Sequence, residues 1–171
     1  MIKFSRAVLG AALLAVAGAA AAAASANVVV DAKGNSLGGG SALDTGIFLT
    51  AGESFSVVAN PADLWNNSGT DPTYVSNANG HAFQMASIDG LNDAIGSLVG
   101  EIGSGPLFHV GTSLDTTAAS AGELKFFYFD SDAWNNTGAV HVEVSAIPEP
   151  ANVALMGLAL AAFALTRRRK A

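Results

Sequence analysis

Apolar and polar side chains alternate over short runs between residues 27 and 147, and no long stretch keeps the spacing of an amphipathic helix. The clearest run is 139–144, in which three valines alternate with His141 and Glu143. Residues 55–59 alternate in the same way, whereas 124–129 are apolar on both faces, as in the central strand of a sandwich. Such patterns are typical of strands. Further candidate strands are 28–30, 47–50, 98–102 and 107–110.

Gly, Asn, Asp and Pro separate these runs, so turns are expected between them. Seven or eight short strands predict an all-β fold, a small β-sandwich or jelly roll over residues 27–146. We expect a loop at 34–46 and a single helical turn within 89–97.

The first 26 residues have the pattern of a secretory signal peptide. Lys3 and Arg6 precede an apolar stretch at 7–19, and Ala24-Ser25-Ala26 fits the small-residue rule for cleavage. The prediction is export, with signal peptidase as a partner, an N-terminal signal helix and Asn27 as the first mature residue.

The other end, residues 147–171, combines three features in a fixed order. Pro148-Glu149-Pro150 comes first, residues 151–166 carry no charge, and a basic cluster follows, made of Arg167, Arg168, Arg169 and Lys170. Two prolines exclude a helix interior there. As a helix, the uncharged segment would span about 24 Å, short of a hydrocarbon core of roughly 30 Å. The positive-inside rule keeps the basic cluster cytoplasmic and the central domain outside.

This tail resembles the PEP-CTERM sorting signal, which a membrane protease-transpeptidase called an exosortase recognises. The resemblance implies a short transmembrane helix, transient residence in the inner membrane, processing by the exosortase, and release to the envelope, outer surface or extracellular matrix. A simple single-span anchor is the alternative.

Charge and composition exclude several classes of function. Residues 27–147 hold thirteen Asp and Glu against two Lys, a net charge of −11, so nucleic acid is not an expected partner. The chain has no Cys, which excludes disulfides and thiolate metal sites. Such an acidic domain suits cations and uncharged ligands.

One cluster of polar residues follows the apolar run that ends at Phe129. Asp130, Asp132, Asn135 and Asn136 lie within seven residues and offer only hard oxygen ligands. Calcium takes six to eight such oxygens in flexible geometry, so a calcium site is a candidate here. An ordinary polar turn is the alternative, because Asp and Asn are also turn residues.

A short motif occurs twice, seventy residues apart, in Trp65-Asn66-Asn67-Ser68-Gly69 and Trp134-Asn135-Asn136-Thr137-Gly138. If both loops lie at one end of the sandwich, two indoles would stand beside a group of oxygens, and indoles serve as apolar platforms with a polar edge. Trp65, Trp134, Asn66 and Asn67 are therefore candidate carbohydrate-binding residues. Alternatively, each Trp caps the core and the Asn residues form turns.

Several short segments resemble the calcium-dependent galactophilic lectins of the PA-I type. They are Thr45-Gly46-Ile47, Ala51-Gly52-Glu53, residues 96–103, Ala121-Gly122-Glu123-Leu124, Tyr128-Phe129-Asp130 and Asn135-Asn136-Thr137-Gly138. The resemblance runs from about residue 42 to 144 and implies a jelly roll whose last loop binds calcium, with sugar hydroxyls completing the coordination. Asp130, Asn135 and Asn136 match the family's calcium-binding Asp and Asn pair.

Two departures from that family concern the same loop. The spacing from Asp130 to Asn135 is shorter than in the galactose binders, and the ligating Thr between them is absent; Asp132 would substitute for it. The first loop, 60–80, diverges too far for residue-level assignment.

Catalysis has little support in the sequence. Gly34-Asn35-Ser36-Leu37-Gly38 fits the nucleophile-elbow pattern but lacks the strand–turn–helix context that the elbow requires, so a flexible loop is expected. His81, His109 and His141 lack metal-ligand spacing, and His81 and His141 are expected at the surface. We therefore expect a non-catalytic protein that binds extracellular polysaccharide or another glycan, with calcium. The alternatives are a purely structural matrix protein and, third, an enzyme.

Overall fold

The computed structural model describes residues 23–147 and Ala159. Residues Ala21–Glu149 form a compact unit, so this segment is expected to fold on its own. The predicted signal helix at 1–22 and the predicted transmembrane helix within 148–171 lie outside the described residues. Among the described residues, no helix has the length and apolarity needed to cross a membrane.

The first sheet gathers strands from both ends of the domain. It contains β1 (Ser25–Asp31), β3 (Ser54–Ala59), β4 (Trp65–Asn66), β5 (Val75–Ser76), β10 (Ser113–Thr117) and β12 (Thr137–Ile147). The long strand β12 pairs antiparallel with β1 on one side and with β3 and β4 on the other. Because β1 begins at Ser25, it starts two residues before the predicted mature start, Asn27.

The second sheet has the order β2-β11-β8-β9, all antiparallel. Its strands are β2 (Leu43–Leu49), β8 (Leu98–Ile102), β9 (Phe108–His109) and β11 (Gly122–Tyr128). A short 3₁₀ turn, Pro72–Tyr74, lies in the loop between β4 and β5.

Residues that alternate inward from the two sheets form one core. Val57, Val140 and Val144 come from the first sheet, and Leu124 and Phe126 come from the second; all five are fully buried. Two antiparallel sheets facing each other across such a core make a β-sandwich, which confirms the all-β prediction.

A hairpin covers part of the outer face of the second sheet. It consists of β6 (Met85–Ile88) and β7 (Leu91–Ala94), and a small second core packs around Val99 and Phe129. This cover explains why residues 124–129 are apolar on both faces.

Two local predictions were wrong. The hairpin stands where a helical turn was expected at 89–97: Asp89 and Gly90 have positive φ (49° and 85°), as a two-residue type I′ hairpin turn requires. The loop expected at 34–46 ends at residue 42. Beyond it, Thr45 Oγ1 donates to Leu124 O at 2.6 Å and holds β2 against β11.

Candidate functional site

Asp130 lies two residues after the end of β11 and carries a buried carboxylate. It is 6% exposed, and its Oδ1 accepts a hydrogen bond from Asp132 N at 3.2 Å. Burial raises the pKa of this carboxyl above its usual range, against smaller opposing effects of hydrogen bonds. The ionised form of Asp130 is therefore disfavoured in the absence of a cation.

Residues 36–38, which precede β2, form hydrogen bonds to the backbone of the Asp130 loop. Ser36 Oγ donates to Asp130 O at 3.1 Å, and Gly38 N donates to the same oxygen at 2.8 Å. Ser36 is 1% exposed, so the segment is a packed support in place of the flexible loop expected from the sequence.

Asn135 and Asn136 complete the oxygen cluster. Asn136 is 2% exposed and its Nδ2 donates to Asp132 O at 2.7 Å and to Ala32 O at 3.3 Å. The Oδ1 atoms of both asparagines are buried and make no hydrogen bond within residues 23–147. A buried polar oxygen without a partner is costly, so these two atoms are suited to a ligand.

Asp132 shapes the loop. Its Oδ1 accepts from Trp134 N at 3.1 Å, and its backbone oxygen accepts from Asn136. The side chain is exposed. This geometry makes Asp132 a turn-forming residue.

These donors fit calcium better than other metals. Within residues 23–147, no three His, Cys, Asp or Glu side chains group as a metal site, and the cluster offers one buried carboxylate with amide oxygens instead. Calcium accepts such oxygens in flexible geometry, whereas zinc prefers nitrogen and sulfur. Asp130, Asn135 and Asn136 would hold the ion.

The two copies of the repeated motif meet in space. Trp65 pairs with Gly138 and Asn66 pairs with Thr137, so β4 lies beside the start of β12. Gly69 N also donates to Asn135 O at 2.7 Å. The first motif therefore supports the backbone of the second.

The two tryptophans have opposite environments. Trp65 is 1% exposed; its Nε1 donates to Gly96 O at 2.7 Å, and its ring meets that of Tyr128 edge-on at 4.6 Å. Trp134 is 74% exposed. Trp65 is thus a core residue without a free face for a sugar, and Trp134 is the one with an accessible indole.

The asparagines of the first motif also differ. Asn66 is satisfied, since its Oδ1 accepts from Ser68 N and its Nδ2 donates to Asp71 O. Asn67 Nδ2 donates to Gln84 Oε1 at 3.1 Å, while its buried Oδ1 makes no hydrogen bond among residues 23–147.

Residues 81–84 lie beside the first motif, a neighbourhood that the sequence did not predict. His81 is 4% exposed, with Nε2 2.9 Å from Tyr74 O, so the expectation of a surface histidine was wrong. Phe83 is 68% exposed and its ring centroid lies 5.1 Å from that of His81. Gln84 contacts Asn67. Only the spacing of His81 and Gln84 in a polar loop could have drawn attention to this segment.

Two comparisons with known proteins gave a match, one for the C-terminal tail and one for the sandwich domain. Residues 146–170 match the family model described as the PEP-CTERM protein-sorting motif. The chain carries a sorting tail. The match includes Pro148-Glu149-Pro150 and the basic cluster, and it indicates an exported protein that is processed at the membrane.

The sandwich is similar to a solved structure described as "EclA N-terminal domain; PllA-like lectin". The TM-score is 0.54 at 22% identity, over 71% of this chain and 96% of that chain. This likeness shows that the domain has a lectin-like fold, as the resemblance predicted. No curated protein matches the chain significantly.

Proposed function

We propose that this chain is an exported envelope or matrix protein whose sandwich binds carbohydrate with the help of calcium. The observation that carries the proposal is the buried Asp130 carboxylate, followed in the same loop by two buried asparagine oxygens that make no hydrogen bond within residues 23–147. These atoms lie in the loop between β11 and β12 of a lectin-like fold. Fold alone does not set function, so the proposal depends on this cluster.

Each residue of the proposed site has a separate task. Asp130 supplies the charge that a cation requires, and Asn135 and Asn136 supply neutral oxygens. Bound calcium would orient sugar hydroxyls by coordinating them. Trp134 offers an exposed apolar face to the sugar ring, because indoles serve as platforms with a polar edge. Asn67, whose buried Oδ1 has no partner among residues 23–147, and the exposed ring of Phe83 would border the sugar.

The processing partners follow from the two ends of the chain. Signal peptidase would remove the N-terminal segment, and an exosortase would act at Pro148-Glu149-Pro150. Before that step the tail would reside in the inner membrane. Afterwards the domain would reach the cell surface or extracellular matrix, where polysaccharide is the ligand. No step of this account requires catalysis, and both the lectin-like fold and the sorting tail point to a non-enzymatic protein.

Calcium titration of the Ala21–Glu149 fragment tests the site. A ligand that binds only the folded state stabilises it by about 2.7 kcal/mol at a hundred times its dissociation constant. Calcium should therefore raise the melting temperature, and magnesium should raise it less because it demands tighter octahedral geometry. Asp130→Asn should abolish the calcium effect. Asp115→Asn, at an exposed position of β10, should retain it.

The calcium-free melting temperature distinguishes a lost ligand from a damaged loop. Asp130→Asn should leave it unchanged or raise it, because a disfavoured buried charge is removed. If excess calcium leaves the wild-type melting temperature unmoved, the site does not exist and a purely structural role becomes the better account.

A further inference from the structure

A second polar site lies on the outer face of the first sheet, away from the loop of Asp130. There His141, on β12, is tied to Asp63, which lies in the loop between β3 and β4. His141 Nδ1 is 2.7 Å from Asp63 Oδ2, and the backbone N of His141 donates to the same oxygen at 2.8 Å. One hydrogen bond therefore fixes the imidazole ring at Nδ1, and the other fixes the backbone of His141.

Asp63 is itself held in place. Asn60 Nδ2 donates to its Oδ1 at 2.9 Å, and Asn60 N donates to His141 O at 2.9 Å. Asp63 Oδ2 accepts from the backbone N of His141, and a carboxylate oxygen accepts from Nδ1 as well, so Nε2 is the ring nitrogen left to bind a ligand.

The side chain of His141 is 71% exposed, and its Nε2 makes no hydrogen bond within residues 23–147. Glu143 projects from the same face of β12 two residues further on, about 7 Å along the strand. Asn27, on β1, lies directly opposite Glu143. A nitrogen, a carboxylate and an amide oxygen therefore border one region of the sheet.

That region is a shallow hollow of about 270 Å³ across three adjacent strands. Neither lysine of the domain lines it, so no cation of the described chain competes for the carboxylate. Its lining includes Asn27, Val29, Val58, Asn60, His141 and Glu143.

We propose that His141 Nε2 and Glu143 form a surface site for a transition-metal ion of the zinc, nickel or copper class. Imidazole together with carboxylate suits these ions, whereas calcium prefers oxygen alone. A carboxylate that holds the other ring nitrogen is the common support of a metal-binding histidine, and Asp63 has that position. Asp63 is thus a positioning residue. Asn27 Oδ1 and solvent complete the coordination, and the open positions allow exchange with groups of another molecule.

The site is independent of the proposed calcium loop and is tested with zinc chloride on the Ala21–Glu149 fragment. The chain has three histidines, so ¹⁵N spectra of the imidazole rings can be assigned residue by residue. Zinc should shift the Nε2 resonance of His141, and titration calorimetry should give a saturable isotherm. Excess calcium should neither compete with zinc nor move that resonance.

Three variants and one control decide the outcome. His141→Ala and Glu143→Gln should remove saturable binding or weaken it strongly, and Asp63→Asn should weaken it about ten- to a hundred-fold, as loss of a supporting carboxylate does. His109→Ala, which removes the other Asp-paired histidine, should bind zinc like wild type. Absence of zinc binding, or binding that survives His141→Ala, overturns the proposal. Equal affinity of Asp63→Asn and wild type overturns the positioning role of Asp63.

Discussion

Gly38 lies against the loop of Asp130 so closely that no side chain fits there. A Cβ at this position would be 1.9 Å from Ser131 C and 2.0 Å from Ser131 O. Its backbone N also donates to Asp130 O. The first contact that a larger residue would disturb is therefore the backbone that carries the proposed calcium ligand.

Gly38→Ala should lower the free energy of unfolding by about 1–3 kcal/mol, the usual cost of overpacking. It should also weaken calcium binding, because the backbone of Ser131 and Asp132 must move. Thermal melts and calcium titrations measure both effects. Gly34→Ala is the matched control, since the three atoms nearest to its Cβ belong to the Asp31 side chain, at 3.2 Å and beyond, and none is backbone. A calcium affinity equal to wild type in Gly38→Ala would show that this support is irrelevant to the site.

The buried carboxylate of Asp130 predicts a pH dependence of opposite sign to that of a salt-bridged acid. The pKa of Asp130 is higher in the folded state than in the unfolded state. Its contribution to stability is therefore fully present at a pH below the unfolded-state pKa, and it is lost as the pH rises through the folded-state pKa. Without calcium, wild type should lose stability relative to Asp130→Asn over that window, and calcium should reverse the loss. Melting temperatures from about pH 4 to about pH 7, with a chelator and with calcium, measure this. Parallel curves for the two proteins would contradict it.

At the scale of the elements, the strands with regular alternation were predictable. The buried faces of residues 55–59 and 139–144 match the structure, and β12 simply extends further, to Ile147. The start of β2 was missed because Asp44, Thr45 and Gly46 have the composition of a loop. This segment is a strand because it pairs with β11, which is distant in sequence, and because Lys125 of β11 contacts Asp44.

The repeated motif shows why much of the site could not be predicted from the sequence. Two almost identical segments place one tryptophan in the core and the other in solvent. The difference arises from long-range contacts of Trp65 with Gly96 and Tyr128. Asp130, Asn135 and Asn136 lie within seven residues of the sequence, so a cluster of their oxygens could be proposed from the sequence. The burial of His81 and the contact of Gln84 with Asn67 depend on how distant loops pack.

At the scale of the molecule, β12 connects the proposed site with the tail. It begins at Thr137, next to Asn136, and ends at Ile147, directly before the sorting motif. Eleven extended residues span about 37 Å. The start of β1 lies at the same end as Ile147, because Ser25 pairs with Ser145. The proposed ligand-binding loop is therefore at the opposite end of the sandwich from the residue where the tail departs.

Tail processing gives a prediction at this scale. Replacing Pro148, Glu149 and Pro150 by Ala should leave unprocessed protein in the inner membrane of a host with an exosortase. Wild type in a host without that enzyme should behave in the same way. Membrane fractionation and the mass of the C-terminal peptide measure the outcome. Mature wild-type protein that retains Arg167 to Lys170 would show that the tail is only an anchor.

Calcium-dependent carbohydrate binding by the sandwich can be measured on the isolated domain. The most direct measurement is glycan-array binding of the Ala21–Glu149 fragment with calcium and with chelator. Glycan binding should require calcium and should be lost in Asp130→Asn. It should be weakened in Trp134→Ala, whose exposed side chain contributes little to folding. Binding that persists in chelator, or calcium binding without any glycan signal, would contradict the proposed function.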